Sequence, residues 1–252
     1  MNILVLQHLA VEHPGIFRDF MREDGFDWTT VELDSGEPIP DLTDFDLMLV
    51  MGGPQDVWQG REHPWLREEI AAIRHFVVDL QRPFLGICLG HQLLATAIGG
   101  RVAPAQKPEV GVMTVSKTDA GQDDAVLGGL ADPMTVLQWH GAEVVTLPDR
   151  AVVLASSEDC GVQAFRFCEY AYGLQCHIEI TEDTVAEWAA VPAYAKSLEA
   201  AMGHGAINNL AKKVAGLLPS FRRDARSVYE GIIGISESRR GPVRVVPRQL
   251  AG

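Results

Sequence analysis

The chain has 252 residues, of which 47% are hydrophobic, and a formal net charge of −13 at pH 7. A chain of this size can bury a substantial core, as one large α/β domain or two small ones. The acidic balance argues against a general nucleic-acid binder, which needs a basic face to replace phosphate counterions. No apolar stretch reaches membrane-spanning length and the start lacks a basic signal-peptide region, so we expect no membrane partner and a cytoplasmic location.

Short apolar runs alternate with amphipathic segments over the first hundred residues. The runs that predict strands are residues 2–7, the pair Val31 and Leu33, residues 45–51 and residues 84–87. The segments that predict helices follow Pro14 up to Gly25, and cover residues 65–80 and 89–98. Strands that alternate with helices favour a largely parallel sheet with helices on both faces.

The middle of the chain changes character, because its strand-like runs are short and closely spaced. These runs are residues 110–115, 134–139, 143–147, 151–156 and 162–167. Parallel strands need long connections, so these runs predict antiparallel additions to the sheet. Helices are predicted again from Thr181 onward and around Leu210 and Val228. The fold class predicted is therefore α/β, a three-layer open sheet that is mostly parallel with antiparallel additions.

The C-terminal residues depart from the helical pattern. We predict one domain over residues 1–235 and a flexible tail over residues 236–252, because the tail carries four arginines and no acid after Glu237. Such a tail is either a solvated terminus or a docking arm for an acidic partner.

Cys88 stands in the segment Gly86-Ile87-Cys88-Leu89-Gly90, between an apolar run and a helix-compatible run. Glycines two positions away on each side are typical of a nucleophile elbow, here with cysteine in place of serine. A tight strand-to-helix turn strains the backbone of its central residue, and only small neighbours let it close. The segment therefore predicts covalent catalysis by Cys88.

The other cysteines, Cys160, Cys168 and Cys176, are spaced by eight residues and form no C-x-x-C pair. We expect them to be buried in strands as small hydrophobic residues. Four cysteines in a chain of this size do not suggest a disulfide scaffold or a structural zinc site. We expect neither a metal nor an organic cofactor.

A cysteine nucleophile needs a base, a group that orients the base, and an oxyanion hole. Residues 172–179 read as a strand, which places the side chains of His177 and Glu179 on one face. A carboxylate there can accept the second N–H of the imidazole, as in a catalytic triad. The backbone N–H of Leu89 and that of Gly53, in the turn Gly52-Gly53-Pro54, are the expected oxyanion donors.

Four segments together resemble the class I (triad-type) glutamine amidotransferase family, and most closely its free-standing members that are similar to the amidotransferase part of GMP synthetase. The segments are Gly52-Gly53-Pro54, residues 86–92, residues 138–141 and residues 173–179. They occur in the family's order. The resemblance implies a flavodoxin-like fold and hydrolysis of the side-chain amide of L-glutamine to glutamate and ammonia through a glutamyl thioester.

The resemblance also implies roles for individual residues. Cys88 would attack the amide, His177 would move the proton, and Glu179 would orient His177. Gly52 and Gln92 would contact the substrate, and a loop formed by Trp139, His140 and Gly141 would bound its pocket.

The sequence departs from the family pattern at three places. Ile178 stands where the family usually has proline, and Cys176 stands at a position often held by an aromatic residue. Ala142 and Glu143 follow Gly141, where relatives often have an aspartate directly after the glycine. These departures affect the choice of substrate more than the triad.

Three functions remain open at this point. The first is a glutaminase or amidotransferase subunit, whose ammonia would go to a separate synthetase because the sequence shows no P-loop or pyrophosphatase loop. The second is a stand-alone hydrolase of γ-glutamyl peptides or amides, and the third a catalytically silent binding or regulatory protein. Outside the triad, His91 is expected to pack behind the elbow, and His8 could line the pocket.

Overall fold

The computed structural model describes residues 1–240, and its centre is a single sheet of nine strands. Most strands coincide with an apolar or alternating run of the sequence, but β5 begins at Arg101, well before the predicted run 110–115. The strands are β1 (Asn2–Gln7), β2 (Asp27–Glu32), β3 (Leu47–Val50), β4 (Phe84–Ile87), β5 (Arg101–Lys117), β6 (Met134–Thr146), β7 (Ala151–Ser156), β8 (Ala164–Phe167) and β9 (Ala171–Leu174).

The sheet has two parts that meet at β9. Its order is β2-β1-β3-β4-β9-β8-β7-β5-β6. The first five strands in this order are parallel, and the pairs from β9 to β6 are antiparallel. The predicted fold class is therefore confirmed. The carboxyl ends of β3, β4 and β9 lie next to one another, where open α/β sheets place their sites.

Seven α-helices surround the sheet in the described part of the chain. They are α1 (Phe17–Glu23), α2 (Trp65–Arg74), α3 (Leu89–Ala97), α4 (Asp119–Gln122), α5 (Thr184–Ala189), α6 (Pro192–Met202) and α7 (Ala206–Arg239). None of the helices within residues 1–240 combines the length and the apolarity that crossing a bilayer requires.

Strand β1 shows why the domain has three layers. Ile3 and Val5 belong to one buried cluster, with side chains from α1 and α7. Leu4 and Leu6 belong to a second cluster, with side chains from α2 and α3. Successive side chains of a strand point to opposite faces, so an uninterrupted apolar run needs helices on both sides.

A third cluster covers the antiparallel part of the sheet near the carboxyl ends of the parallel strands. Trp139 of β6 packs there against Trp188 of α5 and Tyr194 of α6, with ring centroids 5.6 and 5.9 Å away. Burial of side chains this large contributes roughly 1.5–3 kcal/mol each. The cluster holds α5 and α6 over the sheet.

Several elements differ from the predicted bounds. The helix predicted over residues 65–80 is α-helical to Arg74 and then continues as a π-helix, His75–Asp79. The runs 134–139 and 143–147 form one strand, β6, and the helices around Leu210 and Val228 form one helix, α7, which passes through Pro219. Buried apolar residues continue at helical spacing on both sides of the proline, which offsets its missing N–H.

The predicted boundary at residue 235 is wrong, because α7 continues to Arg239. Ser236 is buried and donates its hydroxyl to the carbonyl of Ile232 at 2.8 Å, and the guanidinium of Arg239 lies 4.1 Å from the ring centroid of Tyr170. The burial of Ser236 and the contact of Arg239 with Tyr170 hold the first residues of the predicted tail against the domain. Residues 241–252 of that tail lie outside the described residues.

The three further cysteines are free thiols, as are all cysteines in residues 1–240. Cys160 and Cys176 are buried, as expected of small hydrophobic residues, and Cys168 is half-buried directly after β8. None of the three lies in a strand, so their predicted secondary structure is wrong.

Candidate active site

The elbow predicted at Cys88 is present between β4 and α3. Cys88 has φ 51° and ψ −102°, a conformation that few non-glycine residues adopt. A Cβ added to Gly86 would lie 2.5 Å from the carbonyl carbon of Gly90, and one added to Gly90 would lie 2.8 Å from the carbonyl carbon of Val50. Both flanking positions therefore require glycine for the turn to close. The elbow leaves the Cys88 side chain lining a cavity.

His177 and Glu179 meet as predicted, but the reason differs from the predicted one. Nδ1 of His177 lies 2.7 Å from Oε1 of Glu179, and both side chains are buried. Strand β9 ends at Leu174, so residues 175–179 are not the predicted strand. His177 instead forms an isolated antiparallel bridge with Leu137 of β6. The N–H of Ile178 donates to the other carboxylate oxygen at 2.9 Å, which orients Glu179 toward the imidazole.

The surroundings of His177 favour its protonated form. Burial alone would lower the pKa of His177, but the Glu179 carboxylate and the neighbouring Cys88 raise it well above its ordinary value. With Nδ1 bound to Glu179, Nε2 is the ring nitrogen that remains for Cys88. The edge of the Trp188 ring, with centroids 4.5 Å apart, packs on the imidazole and excludes water from it.

The predicted oxyanion donors lie side by side. The N–H of Gly90 donates to the carbonyl of Met51 at 3.1 Å, which ties the start of α3 to the glycine turn. A Cβ added to Gly53 would lie 2.9 Å from Cδ2 of Leu89, so the two residues are in contact. Within residues 1–240, neither backbone N–H has an intramolecular acceptor. Two unpaired N–H groups on residues that line the same cavity as Cys88 have the composition of an oxyanion hole.

A cavity of about 210 Å³ opens over Cys88. It contains seven of the ten residues predicted for the site, and these are Gly53, Cys88, Leu89, Gln92, Trp139, His140 and Gly141. His177, Glu179 and Gly52 are not among its lining residues in the described chain and lie beneath it. A Cβ added to Gly52 would lie 3.1 Å from Cε1 of His177. Gly52 therefore lies against the predicted base and is not among the lining residues of the cavity, and its substrate contact stays a prediction.

The side chain of Gln92 is partly engaged within the protein. Its amide nitrogen donates to the carbonyl of Ala142 at 3.2 Å and to Oε1 of Gln175 at 3.1 Å. The amide nitrogen of Gln175 in turn lies 3.6 Å from Sγ of Cys88. Gln92 thus connects the elbow helix to β6 and to the segment that carries the base.

Trp139, His140 and Gly141 lie within β6 and not in a loop as predicted. Nδ1 of His140 lies 3.0 Å from the carbonyl of Ala142 and Nε2 lies 3.0 Å from Oε2 of Glu109. Burial would raise the pKa of Glu109, but hydrogen bonds from His140 and its neighbours lower it below its ordinary value. The His140 side chain is therefore held in a fixed position in the wall of the cavity that β6 forms.

Sequence reasoning missed the contribution of α6 and of the segment after β1. Tyr194 and Ser197 of α6 line the cavity, and the Tyr194 hydroxyl donates to the buried carboxylate of Glu12. Burial raises the pKa of Glu12, and the charge of His177 acts in the opposite direction. Tyr194 and Glu12 are separated by 182 residues, so no local pattern links them.

Two histidines considered in the sequence have definite places. His91 is fully buried and packs edge-on against Phe165 with centroids 5.0 Å apart, behind the elbow as expected. Burial lowers the pKa of His91 to about 3, so its ring is neutral. His8 is also fully buried and does not line the cavity over Cys88 in the described chain, so its expected place in the pocket is wrong.

The site combines three features: a strand-to-helix turn that presents a cysteine, a buried histidine–carboxylate pair, and two free backbone N–H groups. Together they define a cysteine-containing hydrolase-like centre on an open α/β sheet. The family model that describes "Glutamine amidotransferase class-I" matches residues 17–186. The chain belongs to the class I glutamine amidotransferase family, and membership of this family implies amidohydrolase activity in general.

Individual relatives agree with this membership. The chain is 32% identical over 190 residues to the putative glutamine amidotransferase-like protein YfeJ of Salmonella typhimurium, covering 73% of this chain and 78% of that protein. It is 35% identical over 144 residues to a glutamine-hydrolyzing GMP synthase subunit from Ignicoccus hospitalis, covering 57% of this chain and 71% of that one.

A solved structure of a glutamine amidotransferase from Thermotoga maritima superposes with a TM-score of 0.83 at 28% identity, covering 92% of this chain and 98% of that chain. A glutamine amido transferase from Methylobacillus flagellatus superposes with a TM-score of 0.84 at 26% identity, covering 96% and 97%.

Proposed function

We propose that the protein hydrolyses the side-chain amide of L-glutamine to glutamate and ammonia through a Cys88–His177–Glu179 triad. The observation that carries the proposal is the 2.7 Å hydrogen bond from His177 to Glu179 beneath the Cys88 elbow. The carboxylate fixes the tautomer of the ring and stabilises imidazolium, which is what a cysteine nucleophile requires of its base.

The first half-reaction forms a thioester. Nε2 of His177 takes the thiol proton, and the sulfur of Cys88 attacks the side-chain carbonyl carbon of glutamine. The resulting oxyanion accepts hydrogen bonds from the N–H groups of Gly53 and Leu89. His177 then gives its proton to the amide nitrogen, the C–N bond breaks, and ammonia leaves.

The second half-reaction returns the enzyme to its starting state. His177 removes a proton from a water molecule, and the hydroxide attacks the thioester carbon in the same oxyanion hole. Collapse of this intermediate expels the sulfur of Cys88, which is reprotonated from His177, and releases glutamate. No redox step and no external co-reactant besides water enter the balance.

Likeness to the GMP synthase relative supports an ammonia-accepting partner, since the name of that relative describes one subunit of a glutamine-hydrolysing synthase. On this hypothesis the protein hydrolyses glutamine for a separate synthetase that receives the ammonia.

A second candidate function, hydrolysis of larger γ-glutamyl amides or peptides, is favoured by one observation. A second cavity of about 560 Å³ shares four lining residues with the cavity over Cys88, and these are Pro108, Val110, Ala193 and Ser197. Apolar side chains and two lysines, Lys107 and Lys196, line the rest of it. A neighbouring cavity of this size offers room for a leaving group larger than ammonia.

The test is glutamate release from L-glutamine and from a panel of γ-glutamyl dipeptides. We expect Cys88→Ala to lose more than about 1,000-fold in kcat, as nucleophile removal does in comparable triads. Cys168→Ala is the matched control, because Cys168 is also a thiol with a positive φ. It follows β8, which runs antiparallel to β9 and therefore ends away from the cavity. Preference for glutamine supports the amidotransferase, and preference for dipeptides supports the hydrolase.

Unchanged glutamate release by Cys88→Ala would show the triad assignment to be wrong. Release from none of the substrates would favour the catalytically silent protein. Labelling of Cys88 by a glutamine-analogue electrophile, with loss of labelling in His177→Ala, would in turn exclude that function.

A further inference from the structure

A buried histidine–carboxylate pair lies behind the glycine turn, and the mechanism above does not use it. His8 directly follows β1 and Glu69 belongs to α2, and both side chains have no exposed surface. The His8 ring stacks on Trp65, with centroids 5.5 Å apart and 17° between the planes. Packing of this kind fixes the ring in one orientation.

Both ring nitrogens of His8 face hydrogen-bond acceptors. Nδ1 lies 2.8 Å from the carbonyl oxygen of Gly52, and Nε2 lies 2.9 Å from Oε1 of Glu69. A carbonyl oxygen can only accept, so Nδ1 carries a proton and donates it to Gly52. Nε2 forms a hydrogen bond with the Glu69 carboxylate.

The surroundings favour a charged His8. Burial opposes charge on the ring, but the Glu69 carboxylate and the hydrogen bonds to Glu69 and Gly52 raise the pKa of His8 above its ordinary value. A charge-assisted hydrogen bond is about twice as strong as a neutral one. The carbonyl of Gly52 therefore accepts an unusually strong hydrogen bond from His8.

The carbonyl that His8 binds belongs to the same peptide group as the N–H of Gly53. Because the peptide group is planar and conjugated, a hydrogen bond to its oxygen fixes the direction of its N–H and makes that N–H a stronger donor. The glycines on both sides have no Cβ that would restrict rotation of this peptide. The bond from His8 thus selects one orientation of it.

We propose that His8, held by Glu69, is a positioning residue that orients and polarises the Gly52–Gly53 peptide toward the oxyanion of the reaction. The proposal rests on the proposed function, in which Gly53 is an oxyanion donor. His8 touches neither the substrate cavity nor the reacting sulfur, and acts through the peptide alone.

The test uses the full-length protein with Glu69→Gln, which removes the charge and keeps the shape. Glu68→Gln, on the exposed face of the same helix, is the matched control. Four quantities are compared: kcat for L-glutamine, KM for L-glutamine, the rate of Cys88 alkylation by iodoacetamide, and the amide proton shift of Gly53 in protein labelled with 15N-glycine. Alkylation by iodoacetamide is a displacement that forms no oxyanion.

We expect Glu69→Gln to lower kcat about tenfold, less than the 10²–10³-fold loss on removal of a whole oxyanion donor. KM and the alkylation rate should stay within about twofold of wild type, and the Gly53 amide proton should move upfield, as a less polarised N–H does. His8→Asn, which offers a neutral donor to the Gly52 carbonyl, should give the same split between kcat and alkylation.

If the wild-type protein releases glutamate and Glu69→Gln has the same kcat as wild type, the proposal about His8 is overturned and the proposed function stays intact. Equal losses in kcat and in alkylation would also overturn it, since they indicate a structural role. If the wild-type protein releases no glutamate, the proposed function fails, and the Gly53 amide shift still decides whether the polarisation exists. An unchanged shift would show that it does not.

Discussion

Substitution of Gly15 by alanine tests how the triad is held, because Gly15 lies directly against the backbone carbonyl of Glu179. Gly15 has φ +49°, and a Cβ added to it would lie 2.8 Å from the carbonyl carbon of Glu179 and closer still to its oxygen. Other atoms essentially never come within 3.0 Å of a real Cβ. The carbonyl of Glu179 must therefore move by on the order of 1 Å, a misplacement that costs catalysis about 100-fold.

The stability cost has two sources. Alanine in a left-handed conformation costs roughly 1–2 kcal/mol. The displaced carbonyl also accepts the N–H of Ile16 at 2.9 Å, and loss of that hydrogen bond costs about 1 kcal/mol more. We expect Gly15→Ala to lose about 2–3 kcal/mol of unfolding free energy, and its kcat to fall because the 2.7 Å bond between Glu179 and His177 is disturbed.

Gly25→Ala is the matched control, because Gly25 has φ +68° and an added Cβ there would have nothing within 4 Å. It should lose roughly 1–2 kcal/mol and keep its kcat. The assays are glutamate release and urea unfolding of both variants. The reasoning is refuted if Gly15→Ala keeps a kcat within about threefold of Gly25→Ala, since a triad displaced by this amount could not do so.

Three further predictions follow from the charges of the site. Removal of the carboxylate in Glu179→Gln should lower the pKa of His177, so the alkaline limb of its pH–kcat profile should move to lower pH than in wild type. Tyr194→Phe leaves a buried carboxylate without its donor and should cost about 1–3 kcal/mol in urea unfolding. The pKa of His8 is higher in the folded protein than in the unfolded chain, where it is 6.5. The pair with Glu69 therefore contributes its full stability below pH 6.5, and this contribution is lost as the pH rises through the pKa of the folded state. Unfolding free energies measured from pH 6 upward should show this loss, and a Glu69→Gln variant should show less of it.

The parts of the site that depend on local sterics could be predicted from the sequence. The glycines around Cys88 indicate the elbow, because a Cβ at Gly86 would meet Gly90 within the turn itself, although Gly90 is also required by the close approach of Val50 in β3. The partnership of His177 with Glu179 was also predicted, but from a strand that ends at Leu174. A backbone bridge to Leu137 fixes His177 instead, and the N–H of Ile178 orients Glu179 toward it.

Long-range contacts account for what the sequence did not reveal. Tyr194 reaches Glu12 across 182 residues, and His8 reaches Glu69 across 61 residues. Neither contact can be recognised from the spacing of the residues in a single sequence. The two polar groups of each pair become partners only because packing of the layers buries them together. The helix through Pro219 likewise depends on apolar packing along its whole length, which overrides the local signal of proline.

The most direct test of the account is to find the covalent intermediate itself. Protein mixed with L-glutamine and quenched in acid within milliseconds to seconds would be digested and analysed by mass spectrometry. The account predicts a glutamyl group on the peptide that contains Cys88, absent in Cys88→Ala and unchanged in Cys168→Ala. Steady release of glutamate with no glutamyl group on Cys88 at any time, even in a variant slowed in hydrolysis of the thioester, would contradict it.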